Sequence, residues 1–170
     1  MQTTCVRDMD NKCNHKVVGI GFYWDDLKSG DTFKTLNRTI TETDIVNFIS
    51  VTGMLETVFT DLSFSEEHGA IKGRVVPAAL SYTLIEGILC QSTMQTTGLA
   101  LLEVTKKIKA PVFAGDTIHC VVSVESSRET SKGGRGIVIT NNDIINQKDE
   151  TVISYRAVRM MAGRPNKADI

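Results

Sequence analysis

G-R-V-V-P-A-A-L-S-Y-T-L-I-E-G-I-L, residues 73–89, is the stretch that decides the architecture of this chain. Pro77 suits the start of a helix, where the N–H it lacks would have no partner in any case. Leu80, Leu84, Ile85, Ile88 and Leu89 follow at helical spacing and make a wide apolar stripe. The pattern predicts a helix from Ala78 to Met94, about 25 Å long at ~1.5 Å per residue, which would form the centre of the domain. Working backward, Thr41 reads as an N-cap with Asp44 in a capping-box position. Ile45, Phe48 and Ile49 share one face of the helix it opens, and Gly53 is placed to stop it. Earlier still, Ser29-Gly30-Asp31 reads as a turn leading into a short strand over Phe33–Ile40.

Beyond the long helix the apolar period drops to two. In Thr117–Glu125, Ile118, Cys120, Val122 and Val124 share one face, while His119, Val121 and Ser123 share the other. Leu99–Ala110, Gly136–Ile145 and Thr151–Met161 also read as strands, separated by turns at Ala114-Gly115-Asp116, Lys132–Arg135 and Asn146–Asp149. One buried helix followed by a run of antiparallel strands implies an α+β fold. Such a sheet exposes its edges, so association into a dimer or higher oligomer is expected.

The same order of elements carries a family resemblance. T-E-T-D-I-V-N-F-I-S-V-T-G-M-L-E-T-V-F at 41–59, the G-R-V-V-P-A-A-L run and Pro111-Val112-Phe113-Ala114-Gly115-Asp116 resemble the MaoC-like acyl dehydratases and R-specific enoyl-CoA hydratases. The resemblance spans about Tyr23 to Met161 and implies a hotdog fold, a long central helix wrapped by an antiparallel sheet. In that family the segment after T-G reads D-x-N-P-x-H, and its Asp and His transfer the protons. Here Met54 stands at the Asp position, Glu56 at the Asn, Thr57 at the Pro and Phe59 at the His.

Composition narrows the setting. A chain of 170 residues, 41% hydrophobic and 23% charged, is expected to hold one domain over 17–162 between loose ends at 1–16 and 163–170. A net charge of −1 gives no drive toward nucleic acid or an anionic membrane. No stretch is apolar enough to span a bilayer or to serve as a signal peptide, so a cytoplasmic location is expected. Cys5, Cys13, Cys90 and Cys120 form no C-x-x-C pair. Cys13 with His15 would be half a metal site without a second half, and Cys90 and Cys120 read as core residues.

The resemblance implies water addition to, or loss from, the α,β bond of an acyl-CoA thioester, with no cofactor. A backbone N–H at the start of the central helix, here that of Ala78, would polarise the thioester carbonyl. Met54 and Phe59 cannot move protons, so Glu56 and Glu86 are the candidate replacements. Glu86 interrupts the apolar stripe, and if buried it must be hydrogen-bonded or hold a raised pKa. Tyr82 and Ser81 are candidates to assist, and His68 is a candidate displaced imidazole on the Ser65–Gly69 segment, read as a loop. Arg74 would form an ion pair or touch CoA phosphates. Lys106, Lys107 and Lys109, and Arg156, Arg159 and Arg164, form two modest basic clusters that a nucleotide could meet.

Three readings follow. In the first, the chain is a diverged hydratase or dehydratase of fatty acid metabolism acting through Glu56 and Glu86. In the second, it is a non-catalytic acyl-CoA-binding or structural subunit, as a homodimer or in a hetero-oligomer with an active homologue. The third is a thioesterase in which a carboxylate directs water to the carbonyl carbon.

Overall fold

Residues 17–165 are described by the structure, a computed structural model; the expected N-terminal tail at 1–16, with Cys5, Cys13 and His15, lies outside the described residues, as does 166–170. Thr41 caps the first helix, α1 (Glu42–Thr52), through the expected reciprocal box. Its hydroxyl accepts the Asp44 N–H, and the Asp44 carboxylate accepts the Thr41 N–H at 2.8 Å. Gly53 ends α1 in the left-handed region at φ 71°, a conformation that favours glycine. Ile45 and Ile49 are buried on its inner face.

The strand expected over Phe33–Ile40 is split into β1 (Thr32–Lys34) and β2 (Arg38–Thr39). Thr35 explains the break. Its hydroxyl accepts the Cys120 N–H at 2.8 Å in place of a backbone carbonyl, and the chain then swings out through the exposed Leu36.

Residues 57–67 differ from expectation as well. They form two short helices, α2 (Thr57–Thr60) and α3 (Leu62–Glu67), so the segment read as a loop around Ser65–His68 is mostly helical. Asp61 ends one and caps the other, its carboxylate accepting the Phe64 N–H at 3.1 Å.

The central helix, α4 (Ala78–Ser92), stops just short of the expected Met94, and the Met94 carbonyl instead receives the Thr97 and Gly98 N–H groups. The strands β3 (Gly98–Ile108), β4 (Thr117–Glu129), β5 (Arg135–Asn146) and β6 (Thr151–Ala162) follow in antiparallel pairs. With β1 they make a sheet in the order β1-β4-β5-β6-β3, and β2 also pairs with β4.

Alternation works as read: Ile118, Cys120, Val122 and Val124 all point into the core. Leu80, Ile85 and Leu89 of α4 pack with Ile118, Ile144, Ile153 and Tyr155 in one cluster, so the helix lies on the inner face of the sheet. Cys90 is a correction. It is exposed, because it follows Leu89 onto the solvent side of α4, whereas Cys120 is buried as expected and burial pushes its thiol up to about 12.

Both ends of the described stretch are tied down. Gly21 and Phe22 donate to the Gln95 and Thr93 carbonyls, both at 2.9 Å. Gly163 donates to Gly134, and Arg164 bonds to Asp25 and Asp26, so the expected loose end at 163 is anchored through Arg164. No described helix is long and apolar enough to cross a membrane.

Candidate functional site at the start of the central helix

Pro77 is fully buried at the N-cap of α4 and provides no side-chain cap for the first N–H groups of the helix. Among the described residues, neither Ala78 nor Ala79 donates its N–H to a protein acceptor. These are the orphan donors that every helix start leaves, and with the helix dipole they favour an oxygen carrying negative charge.

Around this helix start the expected acid–base positions are apolar. Met54 and Phe59 are half-buried and pack against the same core cluster as Ala78 and Tyr82. Arg74 holds this wall in place. Its guanidinium donates to both Glu42 carboxylate oxygens, at 2.7 and 3.0 Å, and to the Phe59 carbonyl. The hydrogen bond from Arg74 holds the Glu42 carboxyl below its ordinary value. Arg74 therefore forms an ion pair, clamping α1 to α2.

The two candidate carboxylates are not brought together. Glu56 lies exposed just before α2, and its side chain has no hydrogen-bond partner among the described residues. Glu86 faces the sheet instead. Its Oε1 accepts from the Tyr155 hydroxyl at 2.7 Å and from Arg159 Nη2 at 2.6 Å. The Arg159 side chain is 7% exposed and that of Glu86 16%, so this is a nearly buried ion pair. Hydrogen bonds from Tyr155 and Arg159 thus satisfy the nearly buried Glu86 carboxylate.

A polar stripe extends from that pair across β5. Arg159 Nη1 donates to the Thr140 hydroxyl at 3.0 Å, and Asn142 Nδ2 donates to Thr140 and to the Tyr155 carbonyl. Burial, with Glu86 beside it, pushes the Tyr155 hydroxyl far above its ordinary value, so it stays a donor. Asn142 Oδ1 and Ser81 Oγ are buried without a partner among the described residues. Beside Asn142, Thr140 and Arg159 lies a cavity of about 30 Å³, lined also by Phe22, Leu89 and Met94. That is room for a water molecule and not for an acyl chain.

Tyr82 stacks edge-on against Tyr155 at 5.1 Å, and Lys106 Nζ sits 4.1 Å above its ring. His68 is exposed at the end of α3 beside Glu67 and Phe64, and His119 is buried on β4, where burial lowers its pKa. The expected arginine cluster is dispersed. Strand alternation turns Arg159 inward to Glu86 and Arg156 outward to Glu125 and Glu103, while Arg164 pairs with Asp26. Gly133 and Gly134, at φ 65° and 64°, turn the β4–β5 hairpin as expected.

Sequence reasoning passed over Arg159 and Tyr155 as the partners of Glu86. The signal was present: Tyr155, Ala157, Arg159 and Met161 alternate on one face of β6, which places a charge among core positions.

Comparison with known proteins agrees with this geometry. A family model described as the FAS1-like dehydratase domain region matches residues 28–155. A β-methylmalyl-CoA dehydratase of Chloroflexus aurantiacus is 25% identical over 148 residues, covering 86% of this chain and 42% of that protein. A solved structure titled a putative MaoC domain protein dehydratase from Chloroflexus aurantiacus superposes with a TM-score of 0.81 at 24% identity, over 89% of this chain and 43% of its own. A Mycobacterium tuberculosis protein described as having a double hotdog fold superposes at 0.76 with 18% identity, over 86% of this chain and 46% of its own. The chain thus spans less than half the length of these relatives, and its helix-and-sheet arrangement is the hotdog. Motif, fold and family match converge: the chain belongs to the FAS1-like dehydratase domain family, with a MaoC-like hotdog fold.

Proposed function

We propose that this chain is a binding or structural member of a hydratase/dehydratase assembly, holding an acyl-CoA thioester without adding or removing water itself. The observation that carries this reading is that Met54 and Phe59, at the positions where the family motif has its Asp and His, are half-buried and pack against the core. Neither side chain can accept a proton from water or return one to the α-carbon. Glu86 supplies no substitute, because its carboxylate is engaged by Arg159 and Tyr155. The free N–H groups of Ala78 and Ala79 support retained affinity for a thioester carbonyl. The dehydratase name of the Chloroflexus relative supports the CoA thioester class.

One observation favours a catalytic alternative: Glu56 keeps an exposed carboxylate free of hydrogen bonds near the vacant Asp position. Under that reading Glu56 alone would activate water. The two are separated by incubating the full chain with 2-enoyl-CoA and 3-hydroxyacyl-CoA thioesters, with products followed by mass spectrometry and binding by calorimetry. Saturable binding with unchanged thioester is the expected result. Hydration or dehydration lost in Glu56→Gln would establish the catalytic reading, and release of free CoA would make the protein a thioesterase.

A further inference from the structure

β3 carries a charge on the side of the sheet that faces the core. Val104, Lys106 and Ile108 stand opposite Ala157, Tyr155 and Ile153 of β6, all three of them buried. The β3 side chains at these positions are therefore on the inner face, toward α4. Val104 packs against the core cluster, as that face demands. Lys106 breaks the apolar row. Its Nζ sits 4.1 Å from the centroid of the Tyr82 ring, and no carboxylate pairs with it among the described residues. Glu86, one turn beyond Tyr82 on α4, is already taken by Arg159 at 2.6 Å and by the Tyr155 hydroxyl at 2.7 Å.

Tyr82 ties this cation to the start of the helix. It follows Ala78 by four residues, so the two share a face of α4 about 6 Å apart along the axis. Helix side chains lean back toward the N-terminus, which lays the Tyr82 ring over the turn that opens with the free Ala78 and Ala79 N–H groups. Tyr155 holds the ring edge-on at 5.1 Å. Helix start, aromatic ring and ammonium thus make one electropositive wall.

We infer that the acyl group of the bound thioester ends in a carboxylate, which pairs with the Lys106 ammonium while the thioester carbonyl meets the N–H groups at the start of α4. This inference rests on the acyl-CoA reading above and names the class of acyl group. One helical turn, ~5.4 Å, separates the two ends of the wall along α4. A short dicarboxylic acid, joined to CoA through one carboxyl and free at the other, spans that distance. The diphosphate of CoA is the other anion of such a ligand. The pantetheine arm separates it from the sulfur by many bonds, so with the carbonyl at α4 it lies away from Lys106.

Calorimetry on the full chain tests this with succinyl-CoA, with butyryl-CoA, which has the same chain length and no carboxylate, and with free CoA. Succinyl-CoA should bind roughly tenfold more tightly than butyryl-CoA, the worth of one hydrogen bond between charged groups. Lys106→Met should bring succinyl-CoA down to the affinity of butyryl-CoA, whereas Lys106→Arg should keep the preference. Lys107→Met, which alters the opposite face of β3, should keep it too. Equal affinities for the two thioesters in the original protein would overturn the inference and leave the acyl-CoA reading standing. If neither thioester binds, that reading fails and the inference with it. A preference that survives Lys106→Met, or a variant that weakens both thioesters and free CoA alike, would also overturn it, the latter by placing Lys106 on the CoA moiety.

Discussion

Arg159→Met tests whether the polar stripe beneath the central helix is structural. The substitution keeps most of the side-chain length and removes the guanidinium that lies 2.6 Å from Glu86. The Glu86 carboxylate would then keep only the Tyr155 hydroxyl, at 2.7 Å, in surroundings that exclude most water. Removing one partner of a buried ion pair costs about 3–5 kcal/mol, because the remaining charge is left uncompensated. Against a typical domain stability of about 5–15 kcal/mol this is a large fraction.

The double change E86L/R159M removes both charges. It should recover to within about 2 kcal/mol of the original protein, the residue being the Tyr155 hydroxyl left without its acceptor. Urea unfolding with constant m-values reads both effects. A single variant within about 1 kcal/mol of the original protein, or a double variant no better than the single, would refute this reasoning.

Three further outcomes are expected. In Arg74→Met the clamp on Glu42 and the Phe59 carbonyl is lost, and hydrogen exchange should rise in α2 while the amides of α4 are unchanged. Burial keeps the pKa of His119 below its unfolded value of 6.5, so its contribution is intact above that pH and is lost as the unfolded chain takes up a proton below it. The urea midpoint should therefore fall between pH 8 and pH 5 by more in the original protein than in His119→Gln. A Cβ on Gly21 would lie 2.5 Å from the Thr93 carbonyl oxygen, so Gly21→Ala should detach this segment from the end of α4 and lower the melting temperature. Equal melting temperatures would show that the contact carries no stability.

The sequence foretold the elements whose signals are local. The capping box of α1 is read from Thr41 and Asp44 alone, and α4 from Pro77 and its stripe. Strands β4, β5 and β6 follow from alternation, since each buries one face, whereas β3 is exposed along nearly its whole length. Elements that depend on distant partners were hidden. The split between β1 and β2 is imposed by the Thr35 hydroxyl bonding to Cys120 on another strand. Helices α2 and α3 are too short to show a period. The alternation of β6 marks Arg159 as a core-facing charge, but its pairing with Glu86 is not legible, because the two lie 73 residues apart and meet only when β6 passes beneath α4. Met54 and Phe59 drew notice only through the resemblance to the family motif, and the structure adds that their half-buried side chains pack against the core.

The central claim, that the site binds a thioester but moves no proton, is tested most directly by isotope exchange. The full chain would be incubated in D₂O with saturating 3-hydroxyacyl-CoA, and the thioester analysed for deuterium at the α-carbon. Water loss followed by readdition places deuterium there even when net turnover is small. The account requires bound thioester with no more α-deuterium than a protein-free control. Deuterium accumulating in the original protein and absent in Glu56→Gln would contradict it and identify Glu56 as the proton carrier.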